Sequence, residues 1–398
     1  MNAKDSNRRN SKGEGWYVVN KDKTITNKKK YVDGSGKEFL KSFRGRTKTE
    51  ARHLREKWEQ ESYVCDHPIV IQTMTVPEYM YNWLDTYKKN SISESSYDAI
   101  EDTIENRVKG YDLERYQIGQ LTVDIMQRHI NQLVAHPYSK ATIKRTASVL
   151  RNCFDKAVVK RDMQFNPMDG VELPSEKKVL VKTKTIQFYP PDDMAKLCAE
   201  AYRRHPKGEL VHPNGAIIIF LMYTGLRIGE GQALKWGNVD FDHRKINVEG
   251  TMIRVKNRED TDDEHKTLYK ITDTKTETSK RSVPLCAPAI EALWQIRVND
   301  GHYLENTDYV LQSSNHNMIS ERNLRRSLES LENMADTSVK GAGLHSLRHT
   351  FASFAIYRGV NIVTLSKLLG HASPSVTSDV YVGVIDNQKV DAVDLLDN

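Results

Sequence analysis

Two runs of apolar residues near the C-terminal end, within residues 343–381, constrain the fold most strongly. Both runs have the three- and four-residue spacing of a helix, and they comprise Leu347, Phe351, Phe354 and Ala355, then Ile362, Leu365, Leu368 and Leu369. Gly359 stands between them, where a first helix is expected to end. We therefore predict two short helices packed through these stripes, with the polar residues of the segment at their edges.

The polar residues of this segment are of types that handle phosphate and protons. His345 and Arg348 are three positions apart, which places both on one face of a first helical turn. His371 follows Gly370, a residue typical of helix ends, and is predicted on a loop that borders a cleft. Arg suits bidentate contact with phosphate oxygens, His can transfer a proton near neutral pH, and the phenol of Tyr381 can act as a nucleophile. The alternative is that these residues have no catalytic role, since exposed His-x-x-Arg pairs and half-buried tyrosines that only pack are common.

Length and composition limit the possible classes of protein. A chain of 398 residues with 38% hydrophobic and 28% charged residues is expected to form two or three water-soluble domains. No apolar run reaches membrane-spanning length and the N-terminus lacks a secretory signal, so we expect no membrane partner and a cytoplasmic location. The four cysteines have no metal-ligand spacing, which argues against structural zinc and against a disulfide framework.

The positive charge is concentrated at the N-terminal end. Residues 1–62 contain 17 Lys and Arg against 9 Asp and Glu, while the remaining residues contain 42 against 44. Residues 1–14 are predicted to be a disordered basic tail, and residues 15–64 three strands followed by one helix. Such a sheet suits a DNA groove, and its candidate DNA-binding residues are Lys28, Lys29, Lys30, Lys41, Arg44 and Arg46. A merely solubilising basic segment is the alternative.

Residues 75–172 are predicted to form a small helical bundle. Its clearest helix spans residues 139–160 and carries Lys140, Lys144 and Arg145 on a face apart from the apolar stripe. This face suits the phosphates of a DNA backbone, although a solvated helix face is also consistent with it. Residues 173–187, rich in Lys and without periodicity, are predicted to be a linker.

Residues 188–384 are predicted to form a mixed α/β domain, so the whole chain is assigned to the mainly α class with small β-sheets (α+β). A buried helix runs into Thr-Gly-Leu-Arg-Ile-Gly-Glu, which places Arg227 at a glycine-bracketed junction and Glu230 where it can hold the guanidinium. The later strand signals predict a β-meander with Lys275 at the tip of a turn. Residues 385–398 are expected to be an acidic tail, either frayed or a short helix that docks on a neighbouring subunit.

Together these residues resemble the tyrosine recombinase (phage integrase) family, most closely the integrases of conjugative transposons and of integrative and conjugative elements. The family pattern comprises an Arg followed by Glu, a hairpin Lys, His-x-x-Arg, Leu-Gly-His and a Tyr, here Arg227, Glu230, Lys275, His345, Arg348, His371 and Tyr381. Only residues 257–265 look inserted. The domain order also matches, with an arm-site binder at residues 15–64, a core-binding bundle at 75–172 and the catalytic domain at 188–384.

The resemblance implies a site-specific recombinase that integrates and excises a mobile element through a 3′-phosphotyrosyl intermediate and a Holliday junction. Tyr381 is implied as nucleophile, Lys275 as the acid for the leaving oxygen and His345 as the base. The remaining members are implied to clamp the phosphate, namely Arg227, Arg348 and His371. It further implies that no cofactor or metal is needed, and that the partners are double-stranded DNA at core and arm sites, a homotetramer, a directionality factor and a host DNA-bending protein. A type IB topoisomerase, a telomere resolvase and a non-catalytic DNA-binding relative remain alternatives.

Overall fold

The computed structural model describes residues 15–32, 38–63, 74–182, 186–258, 266–273, 280–300, 305–313 and 316–378. Several predicted features therefore lie outside the described residues: Lys275, Tyr381, the basic tail 1–14, most of the insertion 257–265 and the acidic tail 385–398. The chain divides into two compact units, residues 1–183 and residues 184–398, which are described separately. The division falls within the segment predicted as a linker.

The N-terminal part of the first unit is a three-stranded antiparallel sheet backed by one helix, as predicted. The strands pair in the order β1-β2-β3, and they are β1 (Trp16–Val19), β2 (Ile25–Val32) and β3 (Glu38–Gly45). Helix α1 (Lys48–Tyr63) begins after Thr47, whose side-chain oxygen accepts from the Glu50 backbone N–H at 3.1 Å. Trp58 of α1 packs on the rings of Tyr31 and Phe43 at centroid distances of 4.9 and 5.4 Å. This aromatic cluster fixes one face of the sheet against the helix.

The rest of the first unit is the predicted helical bundle. Its helices are α2 (Val76–Trp83), continued by a π-helical turn at Leu84–Lys88, α3 (Glu94–Arg107), α4 (Val123–Val134) and α5 (Lys140–Val159). Side-chain oxygens of Ser93, Thr122 and Ser139 accept from backbone N–H groups at the starts of α3, α4 and α5. The apolar stripe of α5 is buried in the bundle core, so the basic residues of that helix remain on the outside.

The second unit surrounds one very apolar helix. Its helices are α6 (Pro191–Ala201), α7 (Gly215–Thr224), α8 (Ile228–Ala233), α9 (Ala287–Asp300), α10 (Glu321–Met334), α11 (His345–Tyr357) and α12 (Ile362–Leu369). Every residue of α7 except Tyr223 is buried, and α6, α9, α10 and α11 all contact it. A helix that is apolar on all sides is stable in water only at the centre of a domain. Helices α11 and α12 coincide with the two predicted runs.

The strands of this unit do not form the predicted meander, and that prediction is wrong. They are β4 (Val239–Asp240), β5 (Lys245–Val248), β6 (Gly250–Lys256), β7 (Thr267–Asp273) and β8 (Arg281–Pro284). Among the described strands, β6 and β7 pair with each other and with no third strand, whereas β8 returns to β5. The reason is burial: Ile246 and Val283 are register partners inside the core, while Tyr269 and Ile271 of the β6–β7 pair are nearly half exposed.

The structure confirms the predicted fold class, since about half of the described chain is helical and its sheets are small and antiparallel. The Asn257 N–H donates to the Lys266 carbonyl at 3.0 Å, so the β6–β7 ladder continues toward the inserted stretch. Among the described helices, none combines the length and apolarity needed to cross a bilayer.

Candidate active site

Arg227 is positioned by a tight junction between two helices. Gly225 ends α7 with a left-handed φ of 63°, and a Cβ there would lie 2.5 Å from the ring of Phe351. Arg227 follows two residues later, immediately before α8, with its side chain 39% exposed. Its Nη1 donates to Glu230 Oε1 at 2.8 Å, and its backbone N–H donates to Glu230 Oε2 at 2.9 Å. The predicted support of Arg227 by Glu230 is therefore present.

Arg348 reaches the same place from helix α11. His345 is the first residue of α11, and Arg348 is one turn further and only 3% exposed. The Nη1 of Arg348 donates to the Gly225 carbonyl at 2.8 Å, and its Nη2 donates to the Leu369 carbonyl at 2.7 Å. A buried guanidinium is therefore paired with backbone oxygens at two helix ends.

The two arginines converge on the C-terminal turn of α12. Arg227 Nη1 lies 3.5 Å from the Leu369 carbonyl oxygen that Arg348 also contacts, and Arg227 Nη2 lies 3.3 Å from the Gly370 carbonyl oxygen. The last carbonyls of a helix lack intrahelical donors and carry the negative end of its dipole. They therefore attract cations, and this turn gathers into one cluster two arginines that are distant in sequence.

The histidines beside these arginines are held neutral. His371 follows Gly370, which ends α12 in the left-handed conformation, and its Nδ1 lies 2.7 Å from Thr377 Oγ1. Burial and then the positive charges of Arg348, Arg227 and Arg281 lower the pKa of His371 to about 4. Burial, Arg348 and Arg227 likewise hold the pKa of His345 below its ordinary value. Both imidazoles are thus uncharged at neutral pH.

Sequence reasoning missed two residues of this cluster. Arg281, the first residue of β8, donates from Nη1 and Nη2 to the two oxygens of Glu230 at 3.1 and 2.9 Å. The ring of His349 packs edge-on against that of His345 at 4.9 Å. Only position in the chain pointed to them, because Arg281 starts the strand after Lys275 and His349 follows Arg348 directly.

The net charge of the described cluster is suited to an anion. The cluster contains three guanidinium groups and the single carboxylate of Glu230: Arg227 and Arg281 contact that carboxylate, and Arg348 shares the Leu369 carbonyl with Arg227. Burial opposes ionisation of Glu230, but the contacts with Arg281 and the Arg227 backbone outweigh it and keep the pKa of Glu230 below its ordinary value. Two positive charges remain in excess. Within the described residues, no group of three or more His, Cys, Asp or Glu side chains is arranged to hold a metal ion.

The candidate DNA-binding residues of the sheet divide between its two faces. Lys28 is the register partner of both Trp16 and Ser42, and Lys30 is the partner of Leu40, on the face that α1 leaves open. Arg44 belongs to the same face, paired with Asp22 and with its Nε 2.8 Å from Thr24 Oγ1.

Lys29 and Lys41, two further candidate residues, point to the opposite face, toward α1. They are register partners of each other, and the Lys41 ammonium lies 4.0 Å from the Trp58 ring of α1. Strand alternation is the reason, because neighbouring side chains of a strand point to opposite sides. Arg46 lies beyond β3 in an exposed bend before α1.

The basic residues of the bundle lie at the start of α5. Lys144 and Arg145 are exposed and Lys140 is half-buried. The part of the chain that the structure describes contains no carboxylate paired with any of the three. This surface remains electrostatically available.

Comparison with known proteins decides the family. The sequence pattern of the phage integrase family matches residues 190–388, half of the chain, and that of the phage integrase N-terminal SAM-like domain matches residues 75–134. The chain belongs to the phage integrase family. A protein named tyrosine recombinase XerC-like from Caldanaerobacter subterraneus subsp. tengcongensis is 28% identical over 379 residues, which cover 92% of this chain and 93% of its own.

Solved structures of family members share the fold. The Tn1549 transposon integrase in complex with transposon right end DNA matches 77% of this chain and 95% of its own, with a TM-score of 0.65 and 18% identity. A lambda integrase tetramer bound to a Holliday junction matches 94% and 96%, with a TM-score of 0.55 and 15% identity. The predicted resemblance is therefore confirmed. The chain is a tyrosine site-specific recombinase, and the predicted function, integration and excision of a mobile element, is confirmed at the level of the family.

Proposed function

We propose that this integrase cleaves and rejoins DNA with Tyr381 as nucleophile and with the arginine cluster as the binding site of the scissile phosphate. The observation that carries the proposal is the convergence of Arg227 and Arg348 on the Leu369 carbonyl, since it brings two permanent cations together beside His345 and His371. A phosphodiester that enters this cluster accepts donors from several sides at once.

Cleavage exchanges one phosphorus–oxygen bond for another. The Tyr381 oxygen attacks phosphorus and gives its proton to His345, while the bond from phosphorus to the 5′-oxygen breaks. Lys275 donates a proton to that departing oxygen, which leaves a 3′-phosphotyrosyl link. Attack by a 5′-hydroxyl of the partner strand reverses these transfers and restores the tyrosine. A neutral His345 is in the state that a base requires, and this agrees with its lowered pKa.

The arginine cluster is expected to stabilise the transition state more than the ground state. A phosphodiester carries one negative charge, and the five-coordinate transition state carries about two, spread over its nonbridging oxygens. The two excess positive charges of the cluster match the latter. His371, held through Thr377, can donate a neutral hydrogen bond from Nε2 to a nonbridging oxygen. Fixed donors in a partly buried site need no rearrangement during the reaction.

We further propose two DNA contacts outside this cluster. Lys28, Lys30 and Arg44 on the open face of the N-terminal sheet bind an arm site, since a β-sheet fits the major groove. Lys140, Lys144 and Arg145 contact the phosphates of the core site. Strand exchange joins two duplexes and uses four subunits, with a directionality factor and a host DNA-bending protein as further partners. This activity is proposed to take place in the cytoplasm.

The test is covalent trapping on a suicide DNA substrate that carries the element end and a nick. The native protein is expected to yield a protein–DNA adduct on a denaturing gel, and Tyr381→Phe is expected to yield none while still binding the DNA. An adduct that persists in Tyr381→Phe assigns the nucleophile to another residue. Plasmid relaxation by the monomer, without junction intermediates, would instead indicate topoisomerase activity.

A further inference from the structure

The carboxylate of Glu230 is saturated by two arginines. Its Oε1 accepts from Arg227 Nη1 at 2.8 Å and from Arg281 Nη1 at 3.1 Å. Its Oε2 accepts from the Arg227 backbone N–H and from Arg281 Nη2, both at 2.9 Å. An ionised carboxylate has about four lone-pair sites, and here all four are used. Glu230 therefore has no capacity left to bind the Arg227 guanidinium at both oxygens.

Arg281 is held as firmly as the carboxylate that it contacts. Its side chain is 7% exposed, against 3% for Glu230, and its Nε donates to the Leu368 carbonyl at 2.7 Å. A Cβ at Gly370 would lie 2.8 Å from Arg281 Nη1, and Gly370 has a left-handed φ of 66°. The end of α12 is thus shaped to admit the guanidinium of Arg281, in the turn whose other carbonyls bind Arg227 and Arg348.

The position of Arg281 in the chain also connects the segment that carries Lys275 to the arginine cluster. Arg281 begins β8, six residues after Lys275, so one end of the segment that carries Lys275 is attached to Glu230 and to α12 through this side chain. The chain thereby connects the proposed acid for the leaving oxygen to the proposed phosphate clamp.

We propose that Arg281 is a positioning residue of the recombination reaction, which occupies Glu230 so that the Arg227 guanidinium stays turned toward the scissile phosphate. The proposal rests on the proposed function of Arg227. Without Arg281, two lone pairs of Glu230 become vacant, and the nearest cation to fill them is Arg227. A bidentate Arg227–Glu230 pair has its donors directed at the protein and offers fewer of them to DNA.

The experiment is single-turnover adduct formation on the suicide substrate at saturating DNA, with DNA affinity measured separately. Arg281→Met keeps the aliphatic stem and is expected to slow adduct formation by on the order of ten- to hundredfold, the range of a charge-assisted hydrogen bond. DNA affinity should remain within about threefold. Arg203→Met is the matched control. Arg203 also contacts both oxygens of a carboxylate, with its Nε 2.9 Å from Glu200 Oε1 and 2.8 Å from Glu200 Oε2, but its side chain is half exposed. This control variant should cleave at the native rate.

A second variant separates positioning from simple support of the fold. In Arg281→Met with Glu230→Gln, residue 230 has no charge with which to capture Arg227, so the rate is expected to rise severalfold above that of Arg281→Met alone. If Arg281 only supported the fold, the double variant would instead be slower than either single variant. Arg281→Met at the native rate, or a double variant without recovery, overturns the proposal. Absence of an adduct with the native protein overturns the proposed function instead, and the two failures are therefore distinguishable.

Discussion

The arginine cluster at the end of α12 and the open face of the N-terminal sheet carry positive charge in opposite ways. Arg281 and Arg348 are nearly buried, and their guanidinium groups donate to backbone carbonyls and, for Arg281, to Glu230. Lys30 and Arg44 on the sheet are exposed. Buried and fixed cations are oriented before DNA arrives, whereas exposed cations are mobile and screened by salt.

The buried cations are expected to serve the chemistry of cleavage, and the exposed cations the affinity for DNA. Fixed donors stabilise a particular charge distribution, so their loss is expected to change the rate of cleavage. Mobile surface cations release counterions on binding DNA, so their loss is expected to change affinity and its salt dependence. Four experiments test this division of roles between the two regions.

Removal of residues 1–74 has the largest expected effect on binding. The truncated protein should lose the ability to bridge a core site to a separate arm site, because the only proposed arm-binding surface is gone, while cleavage of an isolated core site continues. A two-site gel-shift assay beside the suicide cleavage assay measures both activities. Unchanged bridging would place the arm contact elsewhere in the chain.

Arg227→Ala tests the fixed region. We expect a loss of about 2.7–4 kcal/mol of transition-state stabilisation, by analogy with removal of one oxyanion donor, or roughly 10²–10³ in the cleavage rate. Core-site affinity should change much less. Rates at saturating DNA provide the measurement, and a variant within threefold of the native rate would show that Arg227 has only a structural role.

Two lysines of the sheet provide a matched pair for the exposed region. Lys28→Ala should weaken arm-site binding and reduce the slope of log affinity against log salt by about one, because one phosphate contact is lost. Lys41→Ala removes an ammonium that stacks on Trp58 and should leave that slope unchanged, at a cost of about 0.5–1 kcal/mol in stability. Equal slopes for the two variants would contradict the assignment of faces.

The histidines give the smallest expected effect, in the pH profile. Because the pKa of His345 is lowered, its neutral form persists below pH 6.5, and the rate should fall only as the pH drops through this lowered pKa. Single-turnover rates at subsaturating DNA from pH 5 to 8 report this acid limb. NMR titration should place the midpoint of His371 well below 6.5, and Arg227→Ala should raise it. A midpoint at 6.5 for His371 would mean that the arginines do not act on it.

Sequence reasoning located most elements because they depend on local patterns. The helical spacing of Leu347 to Leu369 predicted α11 and α12, and Gly370 ends the second of them as expected. It failed where distant segments decide the outcome. The return of β8 to β5 depends on burial of Val283 against Ile246, and no local pattern encodes that pairing.

The sequence by itself determined the family, the order of the elements and which residue types are available for phosphate chemistry, since motif spacing and periodicity are properties of the chain. Only the tertiary structure decided that Arg281 shares Glu230 with Arg227, that Lys29 and Lys41 face a helix, and that three arginines meet at one turn. The physical reason is that a buried charge is stable only where its partners are, and its partners here come from remote parts of the chain.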